Sequence, residues 1–269
     1  MSSEENTMPQ VALTIENGIA RILIDHPERH NAMTFGMWQQ LAQHFETIAQ
    51  APEVRVVVLS GAGGRAFVSG ADISEFEHLR DSAEQVQRYE DTAQLALNAI
   101  AACERPVIAA IEGICMGGGL GLAGAADLRY ANRSARFRMP AARLGVGYSL
   151  HGVQRLVQLI GQANTADIFY TARIFDAPEA LRLNFIHAFH EDGEFHAAIE
   201  RVAATIAGNA PLPIRAAKLA LRTLSAGHAI DAAAAHAIEH AVQACFDSAD
   251  YREGRSAFLE KRPPAFKGQ

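Results

Sequence analysis

The stretch Ile114-Cys-Met-Gly-Gly-Gly-Leu-Gly-Leu-Ala-Gly-Ala-Ala-Asp127 joins a β-rich run to a helix of small residues through three consecutive glycines. Glycine is needed where a backbone passes close to a ligand or adopts a positive φ, because it carries no Cβ. The first N–H groups of the following helix have no partner within the helix and lie at its positive dipole end. If Gly118 begins this helix, we expect its N–H to face an oxygen atom in the adjoining cleft.

A second glycine-rich turn precedes this one in the chain. The β-rich run 54–60 leads into the loop Gly61-Ala-Gly-Gly-Arg-Ala-Phe-Val-Ser-Gly70, and Ala71 follows. Two backbone donors, from Ala71 and Gly118, that point at one oxygen form an oxyanion hole, and each stabilises a transition state by about 3 kcal/mol. The spacing alone fits two ordinary strand-to-helix turns equally well.

Strands, turns and helices alternate along the first part of the chain. Asn17-Gly18 between two β-rich runs predicts a hairpin, because this pair adopts positive φ at little cost. Thr34 predicts the start of a helix, and Ser82 with Gln85 forms a capping box that predicts another. Further strands are predicted at 54–60, 107–111, 128–131 and 136–139. Recurrent strand, turn and helix units indicate a parallel, right-handed β/α coil, and the chain after Gly161 is alanine-rich and helical.

Composition excludes several classes of partner. The chain has 269 residues, 49% of them hydrophobic, and a formal net charge of −6 without a basic run, so we expect no nucleic-acid partner. The three cysteines, Cys103, Cys115 and Cys245, are odd in number and far apart, which predicts reduced thiols and a cytoplasmic protein. Residues 1–10 are polar and acidic, so we predict a disordered tail and no association with a membrane.

Two short motifs suggest cofactors. Gly119-Leu-Gly-Leu-Ala-Gly124 matches the dinucleotide pattern G-x-G-x-x-G, but the acidic residue expected about twenty residues later is absent from Phe137-Arg-Met-Pro-Ala-Ala-Arg-Leu144. His236-Ala-Ile-Glu-His240 matches the H-x-x-E-H pattern of zinc hydrolases. It lies in an alanine-rich amphipathic helix, where histidine is a common filler. We therefore predict neither a nucleotide cofactor nor a metal site.

Four segments, taken in order, resemble the crotonase superfamily, also called the enoyl-CoA hydratase/isomerase family. They are Arg65-Ala-Phe-Val-Ser-Gly-Ala-Asp-Ile-Ser-Glu-Phe76, Ile111-Glu-Gly-Ile-Cys-Met-Gly-Gly-Gly119, Gly152-Val-Gln-Arg-Leu156 and Asp250-Tyr-Arg-Glu-Gly-Arg-Ser-Ala-Phe-Leu-Glu-Lys261. The resemblance implies an α/β fold, a spiral of ββα units over 11–205, followed by a helical trimerisation region over 206–269. It also implies trimers or dimers of trimers and an acyl-CoA substrate, with coenzyme A as part of that substrate and no other cofactor.

The resemblance further implies which residues form the site. The N–H groups of Ala71 and Gly118 would donate to the thioester oxygen. The adenine of the CoA would lie near 72–73, and its phosphates near the last helix of the same or a neighbouring subunit. The residues implied to contact the CoA are Arg29, Gly70, Ala71, Asp72, Ile73, Gly118, Phe258 and Lys261.

The carboxylates of the family are absent from this sequence. Hydratases of the family carry one glutamate two residues after the triple glycine and another after the next proline, where this chain has Gly121 and Ala141. The carboxylate of some isomerases would fall near Ser149. Hydration needs a base for water and a proton for C2, and loss of such groups costs about 10²–10⁴ in rate. An efficient hydratase is therefore not expected.

Leu144-Gly-Val-Gly-Tyr-Ser149 is similar to the methylmalonyl-CoA decarboxylase type of the superfamily, whose tyrosine matches Tyr148. That type carries a histidine where this chain has Ala71. Decarboxylation needs no general base, because loss of CO₂ itself generates the enolate. Tyr148 would orient the leaving carboxylate or form a wall of the acyl pocket, and His151 would protonate the enolate or serve only at the start of a helix. A weak hydratase or isomerase and an inactive acyl-CoA-binding protein remain as alternatives.

Overall fold

The computed structural model describes residues 8–75, 81–225 and 230–269. Most of the predicted tail therefore lies outside the described residues, and the first strand begins at Gln10. The strands are β1 (Gln10–Glu16), β2 (Ile19–Asp25), β3 (Val56–Gly61), β4 (Ala66–Val68), β5 (Val107–Ile111), β6 (Ile114–Met116), β7 (Leu128–Asn132), β8 (Arg136–Arg138), β9 (Ile174–Asp176) and β10 (Ala188–His190).

The described helices are α1 (Phe35–Ala49), α2 (Ala83–Ala102), α3 (Gly118–Ala125), α4 (Ala141–Leu144), α5 (Leu150–Thr171), α6 (Ala177–Arg182), α7 (Phe195–Gly208), α8 (Pro211–Ser225), α9 (Ala232–Asp247) and α10 (Ala249–Glu260). The predicted caps are confirmed. The Thr34 hydroxyl accepts a hydrogen bond from the N–H of Met37, and Ser82 with Gln85 forms the capping box of α2. Helix α5 is interrupted at Gly161, whose φ is 77°.

Two sheets run side by side through the core. One has six strands in the order β1-β2-β3-β5-β7-β10, and the other has four in the order β4-β6-β8-β9. The pairs β3 with β4, β5 with β6 and β7 with β8 each place one strand in the larger sheet and the next in the smaller one. Each of these pairs is joined to the next by parallel strand pairing, in the larger sheet and in the smaller one. The predicted spiral of ββα units is therefore confirmed.

The small sheet corrects one prediction. Residues 61–70 were expected to form a loop, but 66–68 form strand β4, whose three side chains are all buried. A three-residue strand is too short to show alternation, and its partner β6 lies far along the chain. The pairing is therefore set by tertiary contacts rather than by the local sequence.

Both faces of the large sheet are covered. Along β3, Val57 and Leu59 belong to the main core, whereas Val56 and Val58 pack in a second cluster with Phe195 of α7. This arrangement is typical of parallel strands with helices on both faces. Since α7 packs on the sheet and continues to Gly208, the predicted boundary at 205 falls inside a core helix. The C-terminal helical region begins at Pro211.

The C-terminal helices are attached to the core mainly through α8. The buried ammonium of Lys218 binds the Asp127 carboxylate at 2.6 Å and donates to the carbonyl of Arg105 at 2.8 Å. Beyond it, α10 leaves Phe258 and Leu259 exposed. The assembly into trimers remains a prediction. None of the helices in the described ranges is long and apolar enough to cross a membrane.

Candidate active site

A cavity of about 190 Å³ lies where the first turns of α1 and α3 approach helix α2 and the segment that leads into α5. One wall, here called the corner wall, consists of the two glycine turns 70–71 and 117–118. A second part of the lining, here called the side-chain wall, consists of Gly121, Ala141, Tyr148 and Ser149. Leu97, Met139 and Leu144 also line the cavity, so its interior is largely apolar.

The first half of the corner wall is held by a single bridge between Met33 and Ala71. The N–H of Met33 donates to the carbonyl of Gly70 at 2.8 Å, and the N–H of Asp72 donates to the carbonyl of Met33 at 2.9 Å. Because the neighbours of Ala71 make both bonds, its own N–H points away from Met33. No group in the described ranges accepts a hydrogen bond from this N–H, and Ala71 lines the cavity.

The second half of the corner wall is the start of α3. Gly117 has a φ of 52° and donates to the carbonyl of Arg138, and Gly118 then begins the helix as predicted. As the first residue of a helix, Gly118 has an N–H without an intrahelical acceptor. A Cβ built on Gly118 would lie 3.7 Å from the carbonyl carbon of Gly70, so the two turns are in contact. The structure thus brings Ala71 and Gly118, which both line the cavity, close together.

The side-chain wall is arranged around the ring of Tyr148. A Cβ on Gly152 would overlap this ring, and a Cβ on Gly121 would lie 3.0 Å from its hydroxyl oxygen. Phe169 contacts the ring edge-on, with centroids 5.2 Å apart. The tyrosine hydroxyl therefore occupies the space that a side chain at position 121 would fill. Gly121 and Gly152 are the residues that make room for it.

The environment of Tyr148 keeps its hydroxyl protonated. Burial raises the pKa of Tyr148 to about 12, while the positive charge of Arg155 opposes this effect and the negative charge of Glu90 adds to it. An ordinary tyrosine has a pKa of about 10. Tyr148 therefore supplies a neutral O–H donor at the side-chain wall throughout the physiological range.

The other residues predicted to contact CoA lie outside the cavity, with one exception. Ile73 lines it and is 60% exposed at its rim. Asp72 is buried, and its carboxylate accepts hydrogen bonds from the N–H and hydroxyl of Ser74 at 2.9 and 2.7 Å. Arg29 is exposed, and its carbonyl accepts a hydrogen bond from the hydroxyl of Ser69, a cavity residue. Arg29 therefore lies next to the rim of the cavity, and its contact with the CoA stays a prediction.

Phe258 and Lys261 lie on or just after α10, away from the cavity of their own chain. Phe258 is 84% exposed and lines a groove between α8, α9 and α10. Lys261 follows the last turn of α10 with a φ of 56°. In a single chain neither residue lines the cavity. Their contribution to CoA binding, from the same or a neighbouring subunit, stays a prediction.

His151 does not line the cavity either. It is exposed in the first turn of α5 and lines a separate groove of about 1000 Å³ together with Gln154, Arg155 and Lys218. Tyr148 precedes the helix whereas His151 is within it, so nearness in sequence does not place the two on one surface. The predicted proton transfer from His151 is not supported by this position.

Several residues that line the cavity were not predicted from the sequence as site residues. Among them are Trp38 on α1 and Glu90 on α2. On α2, Glu90, Ala93, Gln94 and Leu97 follow the spacing of one helix face, which is the signal that would have found Glu90. That spacing shows which residues share a face, but it does not show what the face contacts.

One of the two cofactor motifs has a structural explanation. Gly119 of the G-x-G-x-x-G pattern is buried, and a Cβ there would overlap the carbonyl oxygen of Val68. This glycine allows α3 to pack against β4, so the pattern reflects close packing rather than a phosphate site. His236 and His240 lie on α9. The described residues contain no group of three histidine, cysteine or acidic side chains placed to hold a metal ion.

A spiral of ββα units with a helical C-terminal region is the fold of the crotonase superfamily. The family model for enoyl-CoA hydratase/isomerase matches residues 14–269. The chain is 32% identical over 257 residues to a crotonyl-CoA hydratase of Syntrophomonas wolfei, covering 95% of this chain and 97% of that protein. It is 30% identical to the peroxisomal Δ(3,5)-Δ(2,4)-dienoyl-CoA isomerase of Arabidopsis thaliana, covering 97% and 96%.

Solved structures agree with these relatives. The crystal structure of an enoyl-CoA hydratase/carnithine racemase from Magnetospirillum magneticum superimposes with a TM-score of 0.91 at 36% identity, covering 98% of this chain and 97% of that one. The chain belongs to the enoyl-CoA hydratase/isomerase family. It is therefore an enzyme of the crotonase superfamily, as the sequence motifs predicted.

Proposed function

We propose that the protein binds an acyl-CoA thioester and decarboxylates a malonyl-type acyl group through an enolate held by the N–H groups of Ala71 and Gly118. The observation that carries this proposal is the contrast between the two cavity walls. The corner wall presents two backbone donors, whereas the side-chain wall presents Gly121, Ala141 and Ser149. Backbone donors stabilise an enolate oxygen, and a wall without carboxylates lacks the base that would activate water.

The chemistry of this step uses what the cavity contains. The bond between C2 and the substrate carboxylate breaks, CO₂ leaves, and the electron pair moves into the thioester enolate. The two N–H donors stabilise the negative charge that develops on the thioester oxygen. Tyr148, with its neutral hydroxyl, donates a hydrogen bond that orients the substrate carboxylate before it leaves. No cofactor beyond the coenzyme A of the substrate is needed for this step.

The size of the cavity favours a short acyl group. Its volume of about 190 Å³ is smaller than the roughly 300–1,000 Å³ of pockets that enclose drug-sized ligands. We therefore assign only the acyl part to the cavity. The adenine and phosphates would lie outside it, near Ile73 and Arg29 on this chain. Phe258 and Lys261 of a neighbouring subunit would complete the CoA site in a trimer or a dimer of trimers.

A hydratase or isomerase is the second candidate. Relatives of this chain bear the names crotonyl-CoA hydratase and dienoyl-CoA isomerase, and one carboxylate, that of Glu90, reaches the cavity from α2. One carboxylate among the described lining residues allows slow proton transfer but lacks the pair of glutamates of the family's hydratases. We therefore rank this activity second.

Product analysis by mass spectrometry separates the candidates. The protein would be incubated with methylmalonyl-, ethylmalonyl-, crotonyl- and longer 2- and 3-enoyl-CoA. Loss of CO₂ from a malonyl-type thioester at about 1 s⁻¹ or faster would support the decarboxylase, since this rate is typical of enzymes. Addition of water to an enoyl thioester would support the second candidate. Binding of acyl-CoA in calorimetry without any product would identify an inactive acyl-CoA-binding protein.

A further inference from the structure

The cavity holds one carboxylate among its described lining residues, that of Glu90 on α2. Neither Gly121, Ala141 nor Ser149 supplies one, although all three line the same space. Glu90 is exposed, which places it at the mouth of the cavity, in contact with water as well as with the interior. A carboxylate in this position can exchange protons both with solvent and with a bound acyl group.

Helix α2 is fixed relative to the corner wall at the residue next to Glu90. Tyr89 is buried, and its hydroxyl accepts a hydrogen bond from the indole N–H of Trp38 at 3.1 Å. The same hydroxyl donates to the carbonyl of Met33 at 3.2 Å. Met33 is the residue whose backbone is bridged to Ala71. One chain of hydrogen bonds therefore joins α2 to the oxyanion donor.

Trp38 connects the same hydrogen bonds to the second glycine turn. A Cβ built on Gly118 would lie 3.5 Å from the indole ring of Trp38. The indole therefore lies beside Gly118 and is joined to α2 by its hydrogen bond to Tyr89. The backbone of α2 at Glu90 is therefore positioned by groups that also lie against Ala71 and Gly118. Proton transfer requires such fixed placement of the acid or base relative to the reacting atom.

We propose that Glu90 is the proton-transferring residue of this site and acts on the α-carbon of the thioester enolate bound at Ala71 and Gly118. The inference rests on the proposed function to the extent that the ligand is an acyl-CoA thioester. It does not require that the reaction be decarboxylation. The electrostatic coupling between Glu90 and Tyr148 is consistent with both groups facing one acyl group.

The proton balance is simple in either direction. In α-proton exchange, the Glu90 carboxylate takes a proton from the α-carbon, and the C–H electron pair moves into the enolate. The carboxyl group then exchanges its proton with solvent at the cavity mouth and returns a proton to the same carbon. In decarboxylation, the departure of CO₂ forms the enolate, and the carboxyl form of Glu90 supplies the proton of the new C–H bond.

Exchange of the α-protons of butyryl-CoA in D₂O tests this role without any decarboxylation. Mass spectrometry would follow deuterium uptake with the full-length protein, its Glu90→Gln variant and a control, Glu84→Gln. Glu84 lies in the first turn of the same helix and lines an outer groove instead of the cavity. We expect the parent protein and E84Q to exchange the α-protons at the same rate. In E90Q the rate of exchange should fall by a factor of about 10² or more. Binding of butyryl-CoA and the unfolding midpoint should stay unchanged in both variants.

The outcomes distinguish this inference from the proposed function. Exchange by E90Q at the parent rate, or binding without exchange by the parent protein, would overturn the role of Glu90. Exchange that depends on Glu90, with no loss of CO₂ from any malonyl-type thioester, would support the inference and reject the decarboxylase. If butyryl-CoA neither binds nor exchanges, the acyl-CoA site and the role of Glu90 both fail.

Discussion

The two walls of the cavity are built in different ways. The corner wall is backbone, and its two turns are held by the Met33 bridge and by contact between Gly70 and Gly118. The side-chain wall consists of small residues and one tyrosine, whose place depends on the absence of side chains at Gly121 and Gly152. A wall of backbone fixes which oxygen is stabilised, whereas a wall of side chains can change from one sequence to another without changing the fold.

This difference explains how one family can contain hydratases and isomerases. Stabilisation of the thioester oxygen is common to every reaction that passes through its enolate. The fate of the enolate depends on which acid, base or hydrogen-bond donor faces the acyl carbons. In this chain the cavity proposed to hold those carbons is lined by Tyr148, by the small residues Gly121, Ala141 and Ser149, and by Glu90 at the mouth.

The largest expected effect is a loss of stability when the packing beneath the corner wall is changed. A Cβ on Gly119 would overlap the carbonyl oxygen of Val68, so Gly119→Ala must displace α3 from β4. We expect the free energy of unfolding to fall by about 3 kcal/mol or more, because backbone cannot yield as a flexible side chain can. Denaturant unfolding measures this. The matched control is Gly118→Ala, whose Cβ would make an ordinary contact of 3.5 Å with Trp38. Equal stability of the two variants would contradict the packing described here.

The next largest effect should come from removing one donor. Gly118 is the first residue of α3, where proline is well tolerated because that N–H has no partner in the helix. Gly118→Pro therefore deletes the donor and retains the helix. We expect turnover to fall about 10²–10³, the cost of one oxyanion-hole donor. The Gly118→Ala variant retains the N–H and should keep most of the activity. Equal kcat values for the two would show that this N–H does not stabilise the reacting oxygen.

The local sequence was sufficient for much of the fold. The hairpin needs positive φ at its turn, and Asn17 and Gly18 have φ values of 52° and 77°. The starts of α1 and α2 follow from hydroxyl caps, which act within one turn of helix. Strand β4 could not be predicted in this way, because its hydrogen bonds go to β6, which is distant in sequence.

The same distinction holds for the site. Ala71 and Gly118 could be proposed because a glycine turn limits the backbone locally, and their assignment as donors stays a prediction. The positions of Glu90 and His151 depend on how α2 and α5 are rotated about their axes. That rotation is set by distant contacts, such as the hydrogen bonds of Tyr89 to Trp38 and Met33. The number of residues between a side chain and a glycine turn therefore does not predict whether that side chain faces the cavity.

Removal of the Tyr148 hydroxyl should have a moderate effect. Tyr148→Phe keeps the ring packed against Gly152 and Phe169, so the fold should be unchanged. We expect turnover of a malonyl-type thioester to fall about 10-fold, which is the value of one hydrogen bond to a charged group.

Because burial raises the pKa of Tyr148 to about 12, the hydroxyl remains protonated where an ordinary tyrosine ionises. The ratio of the parent rate to the Y148F rate should therefore be constant from pH 7 to about pH 10. A ratio that declines with a midpoint near an ordinary tyrosine pKa would show that the hydroxyl is exposed to water.

The smallest effect should come from shifting this hydroxyl without removing it. A Cβ on Gly121 would lie 3.0 Å from the hydroxyl oxygen of Tyr148, so Gly121→Ala must move that oxygen by a few tenths of an ångström. Gly124→Ala on the same helix is the matched control, since its Cβ would make ordinary contacts of 3.6 Å with Arg155 and Leu159. We expect G121A to lower kcat about two- to five-fold, because hydrogen bonds weaken gradually with such displacements, and G124A to leave it unchanged.

In the background of Y148F, G121A should have no further effect on kcat, because the group it displaces is then absent. If the two changes instead multiply in a double-mutant cycle, Gly121 acts on the acyl group directly and Tyr148 is only a wall of the pocket.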